Sequence, residues 1–99
     1  MKTPTFDADG YPSDETLDAI ELWSIEGKLA EWLEFCESSW SKHYGAVRHQ
    51  GQKVEFVTGG WSGNESVLSA MRHHPFYYSC WLSSHRGGLH SFFTEHASF

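Results

Sequence analysis

The sequence predicts an α+β domain, in which a small antiparallel sheet packs with about three helices in the order ααββαββ. Three observations predict it: an apolar stripe at helical spacing, two β-type runs on each side of a short helical run, and glycine-rich turns between them. A chain of 99 residues has the length of one domain. We expect an irregular N-terminal arm over residues 1–13 and a single domain over residues 14–99.

Two helices are predicted in the first half of the chain. Ser13, followed by Asp14 and Glu15, has the pattern of an N-cap with acidic residues in the first turn, so a short helix should run to about Ile25. Gly27 breaks the pattern. The second helix is expected over 28–43, because its apolar residues fall at i, i+3, i+4, i+7 and i+11: Leu29, Trp32, Leu33, Cys36 and Trp40.

The second half is predicted to hold two hairpins around a third helix. The first hairpin should pair 46–49 with 53–58 and point Val54 and Phe56 to the core. The third helix should cover 63–73 and end before Pro75. Alternation predicts a strand over 76–83, and a loop over 84–88 then leads to a last strand over 89–94 and a tail over 95–99.

Charge is unevenly distributed along the chain. The net charge is −6, which argues against a general nucleic-acid-binding surface. Residues 1–37 contain ten of the 13 acidic residues, with Lys2 and Lys28 as the only bases there. We interpret the acids of the second helix, Glu31, Glu34 and Glu37, as a solvated face; the alternative is an acidic surface that imitates nucleic acid or binds a partner.

The two cysteines, Cys36 and Cys80, lie in apolar patterns and are interpreted as buried free thiols of a reducing compartment. No apolar run has the length of a signal peptide or a membrane span. We therefore expect a cytoplasmic protein without a membrane partner.

A glycine turn, Thr58-Gly59-Gly60-Trp61-Ser62-Gly63-Asn64-Glu65, connects a predicted strand to a predicted helix. Ser62 and Glu65 have capping-box spacing, so the first N–H groups of the helix should face the turn. Such a turn can hold an anion, or it can simply reverse the chain. The second glycine loop, Arg86-Gly87-Gly88, offers a guanidinium that binds phosphate or carboxylate well.

These two loops define the candidate ligand site. Its aromatic wall would be Trp61 or Trp81, stacking on a flat group, although both rings also suit a core and Arg86 also suits an ordinary surface loop or an ion pair with Glu65. The candidate ligand-binding residues are Gly59, Gly60, Trp61, Ser62, Gly63, Asn64, Trp81, Arg86, Gly87 and Gly88.

Catalysis and metal binding are the less favoured interpretations. Gly60-Trp61-Ser62-Gly63-Asn64 approaches the nucleophile elbow of hydrolases, with His85 or His90 as a base, but it lacks the final glycine and an evident acid partner. The seven histidines show no tight metal-ligand spacing. We therefore expect no catalytic residue, no metal ligand and no cofactor.

Three stretches resemble a family of small, uncharacterised proteins encoded by tailed bacteriophages. They are Thr16-Leu17-Asp18-Ala19-Ile20 with Trp23, the glycine turn at 58–65, and Trp81-Leu82-Ser83-Ser84-His85-Arg86-Gly87-Gly88. The departures are mainly His85 and residues 43–52. No activity is established for the family, so the resemblance implies source and fold more than function.

The sequence hypothesis is thus a non-enzymatic phage protein that binds a small anionic, nucleotide-like ligand in the host cytoplasm, in the service of counter-defence. The alternative is an inhibitor or accessory factor that binds a host protein through its acidic helical face. A homo-oligomer is compatible with both.

Overall fold

The computed structural model describes residues 3–93. It confirms the α+β class and the order ααββαββ, and it adds one short helix before the second hairpin. The elements are α1 (Asp14–Glu21), α2 (Leu29–Ser38), β1 (Ala46–Gln50), β2 (Lys53–Val57), α3 (Ser62–Arg72), α4 (Pro75–Cys80), β3 (Trp81–His85) and β4 (Leu89–Phe93). The predicted tail, 95–99, lies outside the described residues, as does Thr94 of the predicted last strand.

The four strands form one antiparallel sheet in the order β1-β2-β4-β3. The two hairpins join through β2 and β4, with Val54 opposite Phe92 and Phe56 opposite His90. Since side chains alternate along a strand, these four share one face, and all four are buried. On the other face Glu55 forms ion pairs with Arg48 and Lys53.

The helices pack on the buried face of the sheet. Trp40, just after α2, meets Phe56 edge-on with ring centroids 5.0 Å apart, and Tyr77 of α4 meets Phe92 at 5.4 Å. Trp32, the centre of the predicted stripe, is fully buried and donates its indole N–H to the Ile20 carbonyl at 3.1 Å. The stripe therefore faces the core, as predicted.

Both N-terminal helices are shorter than predicted. Ser13 caps α1 as expected, accepting from the Thr16 N–H at 3.1 Å, but the helix ends at Glu21 rather than near Ile25. Helix α2 ends at Ser38 instead of His43. Near its end the hydroxyls of Ser38 and Ser39 bond to carbonyls four residues earlier, a contact that competes with regular helix geometry.

The prediction of a strand over 76–83 is wrong for its first half, where the chain forms α4. Pro75 occupies the first turn of that helix, and the His74 ring caps it by accepting from the Phe76 N–H at 3.0 Å. The buried residues are then Tyr77 and Cys80, three positions apart, while Tyr78 is exposed. Alternation and aromatic residues predicted a strand here, whereas the N-terminal cap stabilises a helix.

Candidate functional site

The glycine turn and the Arg86 loop lie side by side at one end of the sheet. The Thr58 N–H donates to the Gly88 carbonyl at 3.0 Å, and this bond continues the pairing of Val57 with Leu89 beyond the strand ends. The Thr58 hydroxyl accepts from the Gly60 N–H at 3.2 Å. Two loops far apart in sequence are thus joined through one buried threonine.

Close backbone approaches explain why glycines stand in these loops. Gly59 has a φ of +65°, and a β-carbon there would overlap the carbonyl oxygen of Tyr44. A β-carbon on Gly88 would overlap the Thr58 hydroxyl. The chain segments before β1, after β2 and before β4 therefore meet at distances that only glycine permits.

Asn64 supports the turn from inside the protein. Its side chain is fully buried, and its amide oxygen accepts from the Ser41 N–H at 2.8 Å. Its amide nitrogen donates to the carbonyls of Ser41 and Thr58, at 3.1 and 3.2 Å. The amide is therefore occupied by three internal bonds, so within the candidate site Asn64 shapes the turn.

An aromatic cluster lies against the turn. The Trp61 ring stacks on Tyr44 with centroids 4.6 Å apart and is tilted against Tyr11 at 4.8 Å. Trp61 is half-buried, whereas both tyrosines are exposed. Gly63 lies under the indole, since a β-carbon there would overlap the ring. Sequence reasoning did not find Tyr11 or Tyr44, because no short-range pattern connects them to Trp61.

The prediction that Ser62 caps α3 is wrong. The helix begins at Ser62 itself, with Trp61 in the N-cap position and without a side-chain cap, and the Ser62 hydroxyl donates to the Tyr11 hydroxyl at 3.2 Å. Neither histidine considered as its base pairs with it. His85 bonds to Ser83 at 3.1 Å and His90 to Ser84 at 2.8 Å, each within the second hairpin.

Of the two tryptophans proposed as a wall, only Trp61 lies at the turn. Trp81 pairs with Phe92, three residues along β4 from Leu89 and thus about 10 Å from the loop that follows β3. Its indole N–H donates to Ser84 at 2.9 Å. Arg86 follows β3 directly, is exposed, and forms no ion pair within residues 3–93.

The first turn of α3 has N–H groups both with and without an acceptor inside the helix. The backbone carbonyl of Trp61 accepts from the N–H groups of Asn64 and Glu65, at 3.1 Å each. The first N–H groups of a helix have no acceptor inside it, which leaves those of Ser62 and Gly63 for other partners. The positive end of the α3 dipole thus lies beside Trp61, at the end of the sheet where the Arg86 loop follows β3.

Burial favours the neutral state of His90 in the second hairpin. Burial lowers the pKa of His90, with smaller contributions in the same direction from Arg72 and His85. A neutral His90 can accept the hydroxyl proton of Ser84 at the ring nitrogen that faces it. Within the described residues, no group of three or more His, Cys, Asp or Glu side chains is placed to hold a metal ion.

Both cysteines are free and buried, as predicted. Burial is the largest cause that raises the pKa of Cys36, and it raises the pKa of Cys80 to about 12. The thiolate is the reactive form of cysteine, so both thiols are held in an inert state.

The acidic face predicted on α2 is exposed at Glu31 and Glu34. Glu37 differs, because it is half-buried and contacts Lys42 at 3.3 Å and the His49 ring at 2.8 Å. On α2, the acidic face open to a partner therefore consists of Glu31 and Glu34.

No helix within residues 3–93 has the length and apolar character needed to cross a membrane. Comparisons with protein-family models, with curated proteins and with solved structures gave no match.

Proposed function

We propose that this protein is a non-enzymatic binding protein that holds a small anionic, nucleotide-like ligand at the joined glycine loops. The observation that supports the proposal is the hydrogen bond from Thr58 to Gly88, 3.0 Å long, because it brings the Arg86 loop beside the glycine turn. The pairing of β2 with β4 aligns the two loops, and this bond extends the contact into the loops themselves.

Each part of this surface suits one part of such a ligand. The planar guanidinium of Arg86 binds phosphate oxygens through two parallel hydrogen bonds. The N–H of Ser62, the exposed first residue of α3, favours an anion through the helix dipole. The exposed rings of Tyr11 and Tyr44 offer a flat apolar surface on which a base can stack.

The spacing across the sheet end fits an extended ligand. Tyr44 precedes β1, Gly59 follows β2, Gly88 precedes β4 and Arg86 follows β3, in the order of the strands. Neighbouring strands lie about 4.8 Å apart, so Tyr44 and Arg86 are separated by about 14 Å. We infer that the flat group of the ligand lies towards Tyr44 and its anionic group towards Arg86.

The biological setting is proposed from the resemblance to tailed-phage proteins. In the cytoplasm of an infected host, a protein that sequesters a nucleotide-like signal would act in counter-defence. The Arg86 loop and the glycine turn belong to two of the three stretches that carry this resemblance.

Isothermal titration calorimetry with nucleoside mono-, di- and triphosphates, and with the free nucleosides, tests the proposal. We expect phosphate-bearing compounds to bind and free nucleosides to fail. Arg86→Ala should weaken binding at least tenfold and leave stability within about 0.5 kcal/mol, whereas Arg86→Lys should restore part of the affinity.

Arg48→Ala is the matched control, because Arg48 is exposed on β1 and its loss changes the net charge equally. Rising salt should weaken binding of the unsubstituted protein, since the proposed contacts are exposed charges. Equal affinities for the Arg86→Ala and Arg48→Ala variants, or no affinity of the unsubstituted protein for any phosphate compound, would overturn the proposal.

A further inference from the structure

A groove lies on a different part of the molecule, between the N-terminal arm and α2. It has a volume of about 890 Å³ and is open to solvent. Its lining includes Phe6 of the arm, Trp23 of the segment between α1 and α2, and Phe35 of α2. None of the proposed anion-binding residues contributes to it.

The floor of this groove is apolar. The rings of Trp23 and Phe35 pack with centroids 5.3 Å apart, and Phe6 is 47% exposed at the margin. The same α1–α2 segment carries Leu22 and Ile25, which are 79% and 70% exposed. An apolar groove, together with exposed apolar side chains on a segment that lines it, is typical of a protein–protein contact.

The rim of the groove is acidic along one side. Glu31 and Glu34 line it and lie three positions apart on α2, so their side chains project from the same helix face. Neither forms an ion pair within residues 3–93. In the described part of the chain up to Ser38, Lys28 is the one basic residue among ten acidic ones.

We propose that this groove is a docking site for a basic, amphipathic segment of a partner protein. Apolar side chains of that segment pack on Trp23 and Phe35, and its Lys or Arg side chains pair with Glu31 and Glu34. A basic segment fits because the acidic rim lacks internal partners, and an amphipathic one fits because the floor is apolar. This site is separate from the proposed ligand surface, and either can exist without the other.

Selection from a random peptide display library on the immobilised protein tests the proposal, since the library samples many partner sequences at once. Selected peptides should combine apolar residues with Lys or Arg. In fluorescence anisotropy, Glu31→Gln/Glu34→Gln should lower the affinity for the best peptide about fivefold, as expected for the loss of two exposed ion pairs. Rising salt should weaken binding to the unsubstituted protein more than binding to this variant.

A second pair of substitutions provides the charge control. Asp18→Asn/Glu65→Gln removes the same two charges at exposed positions outside the groove lining, and it should leave peptide affinity within twofold. Phe6→Ser should also lower the affinity for the peptide, because it removes an apolar contact without changing the charge.

Three outcomes would overturn the proposal. One is a set of selected peptides without basic enrichment, and another is equal weakening by the groove and control pairs. The third is a homodimer in analytical ultracentrifugation that Glu31→Gln/Glu34→Gln dissociates, because a second copy of this chain would then occupy the groove.

Discussion

Asn64 connects three parts of the molecule through a single buried amide. It fixes the chain after α2 through both polar backbone groups of Ser41, and it fixes the glycine turn through the Thr58 carbonyl. A buried polar group that loses its partner costs about 1–3 kcal/mol. The residue thus sets the relative position of α2, β2 and α3.

Asn64→Ala should therefore reduce the free energy of unfolding by about 3 kcal/mol, because it leaves three backbone groups without their partner. Urea denaturation monitored by tryptophan fluorescence measures this loss. Ser69→Ala, at an exposed position of the same helix, is the control and should stay within about 0.5 kcal/mol. A loss below 1 kcal/mol for Asn64→Ala would show that the amide does not hold the turn.

The two buried thiols should make the fold sensitive to alkaline pH. Both have a pKa above the ordinary value of 9.0, and that of Cys80 is about 12. Above pH 9 the unfolded chain loses thiol protons that the folded chain retains, so stability falls as pH rises from about 9 towards 12. Below pH 9 this contribution to stability is fully present.

Cys80→Ala should make the decline of stability shallower, by up to about 1.4 kcal/mol per pH unit. Denaturant titrations between pH 8 and pH 11 measure that slope for both proteins, and the slope separates titration from any cavity that the substitution leaves.

Labelling of the native protein by a thiol reagent should be slow, and it should accelerate on unfolding. Rapid labelling of both thiols in the native protein would contradict their burial.

Helix α4 illustrates how a cap can override local composition. The stretch after Pro75 has the alternation and the aromatic residues of a strand, yet the His74 ring accepts from the Phe76 N–H at 3.0 Å. The other ring nitrogen of His74 contacts the Trp23 carbonyl at 2.7 Å. One buried histidine thus starts α4 and attaches it to the α1–α2 segment.

We expect positive Cα secondary chemical shifts over 75–80 and negative shifts from Trp81 onward in the native protein. His74→Ala should reduce the helical shifts and destabilise the fold by about 2 kcal/mol, because it removes both the cap and the buried bond. His74→Asn should restore the helical shifts in part, since Asn is a good N-cap residue. Strand-type shifts over 76–80 in the unsubstituted protein would refute the helix.

Elements that rest on local rules were predictable from the sequence. Ser13 caps α1, the stripe around Trp32 is buried, and Val54 and Phe56 face the core. The ends of α1 and α2 were not, since the chain just beyond them is held by distant residues, His74 at Trp23 and Asn64 at Ser41, in addition to the local serine bonds near the end of α2. The same limit applies to Tyr11, which reaches Trp61 only in the folded chain.

At the scale of the whole molecule, three chain segments come into close contact at one end of the sheet. The chain before β1, the glycine turn after β2 and the loop before β4 meet there, and the aromatic cluster of Tyr11, Tyr44 and Trp61 lies beside them. The sequence indicated both glycine loops but not the order of the strands. Because β2 pairs with β4, the two loops become neighbours.

Gly59 and Gly51 form a matched pair that tests this convergence. Their φ angles are +65° and +59°, so alanine meets similar backbone strain at both positions, about 1–2 kcal/mol. At Gly51 a β-carbon would have nothing within 4 Å, whereas at Gly59 it would overlap the Tyr44 carbonyl. The difference in unfolding free energy between the two variants therefore measures the cost of the close contact alone.

We expect Gly51→Ala to lower the free energy of unfolding by about 1 kcal/mol, and Gly59→Ala to lower it by at least about 3 kcal/mol, because a backbone atom must move to relieve the overlap. Urea denaturation of both variants gives the comparison. Native-state chemical shift changes should be confined to the β1–β2 turn for Gly51→Ala. For Gly59→Ala they should extend to Tyr44, Trp61 and Gly88, since these residues pack on one another at the strand ends. Equal destabilisation by the two substitutions would mean that the glycine loops are ordinary surface turns, and the proposed ligand site would then lose its structural basis.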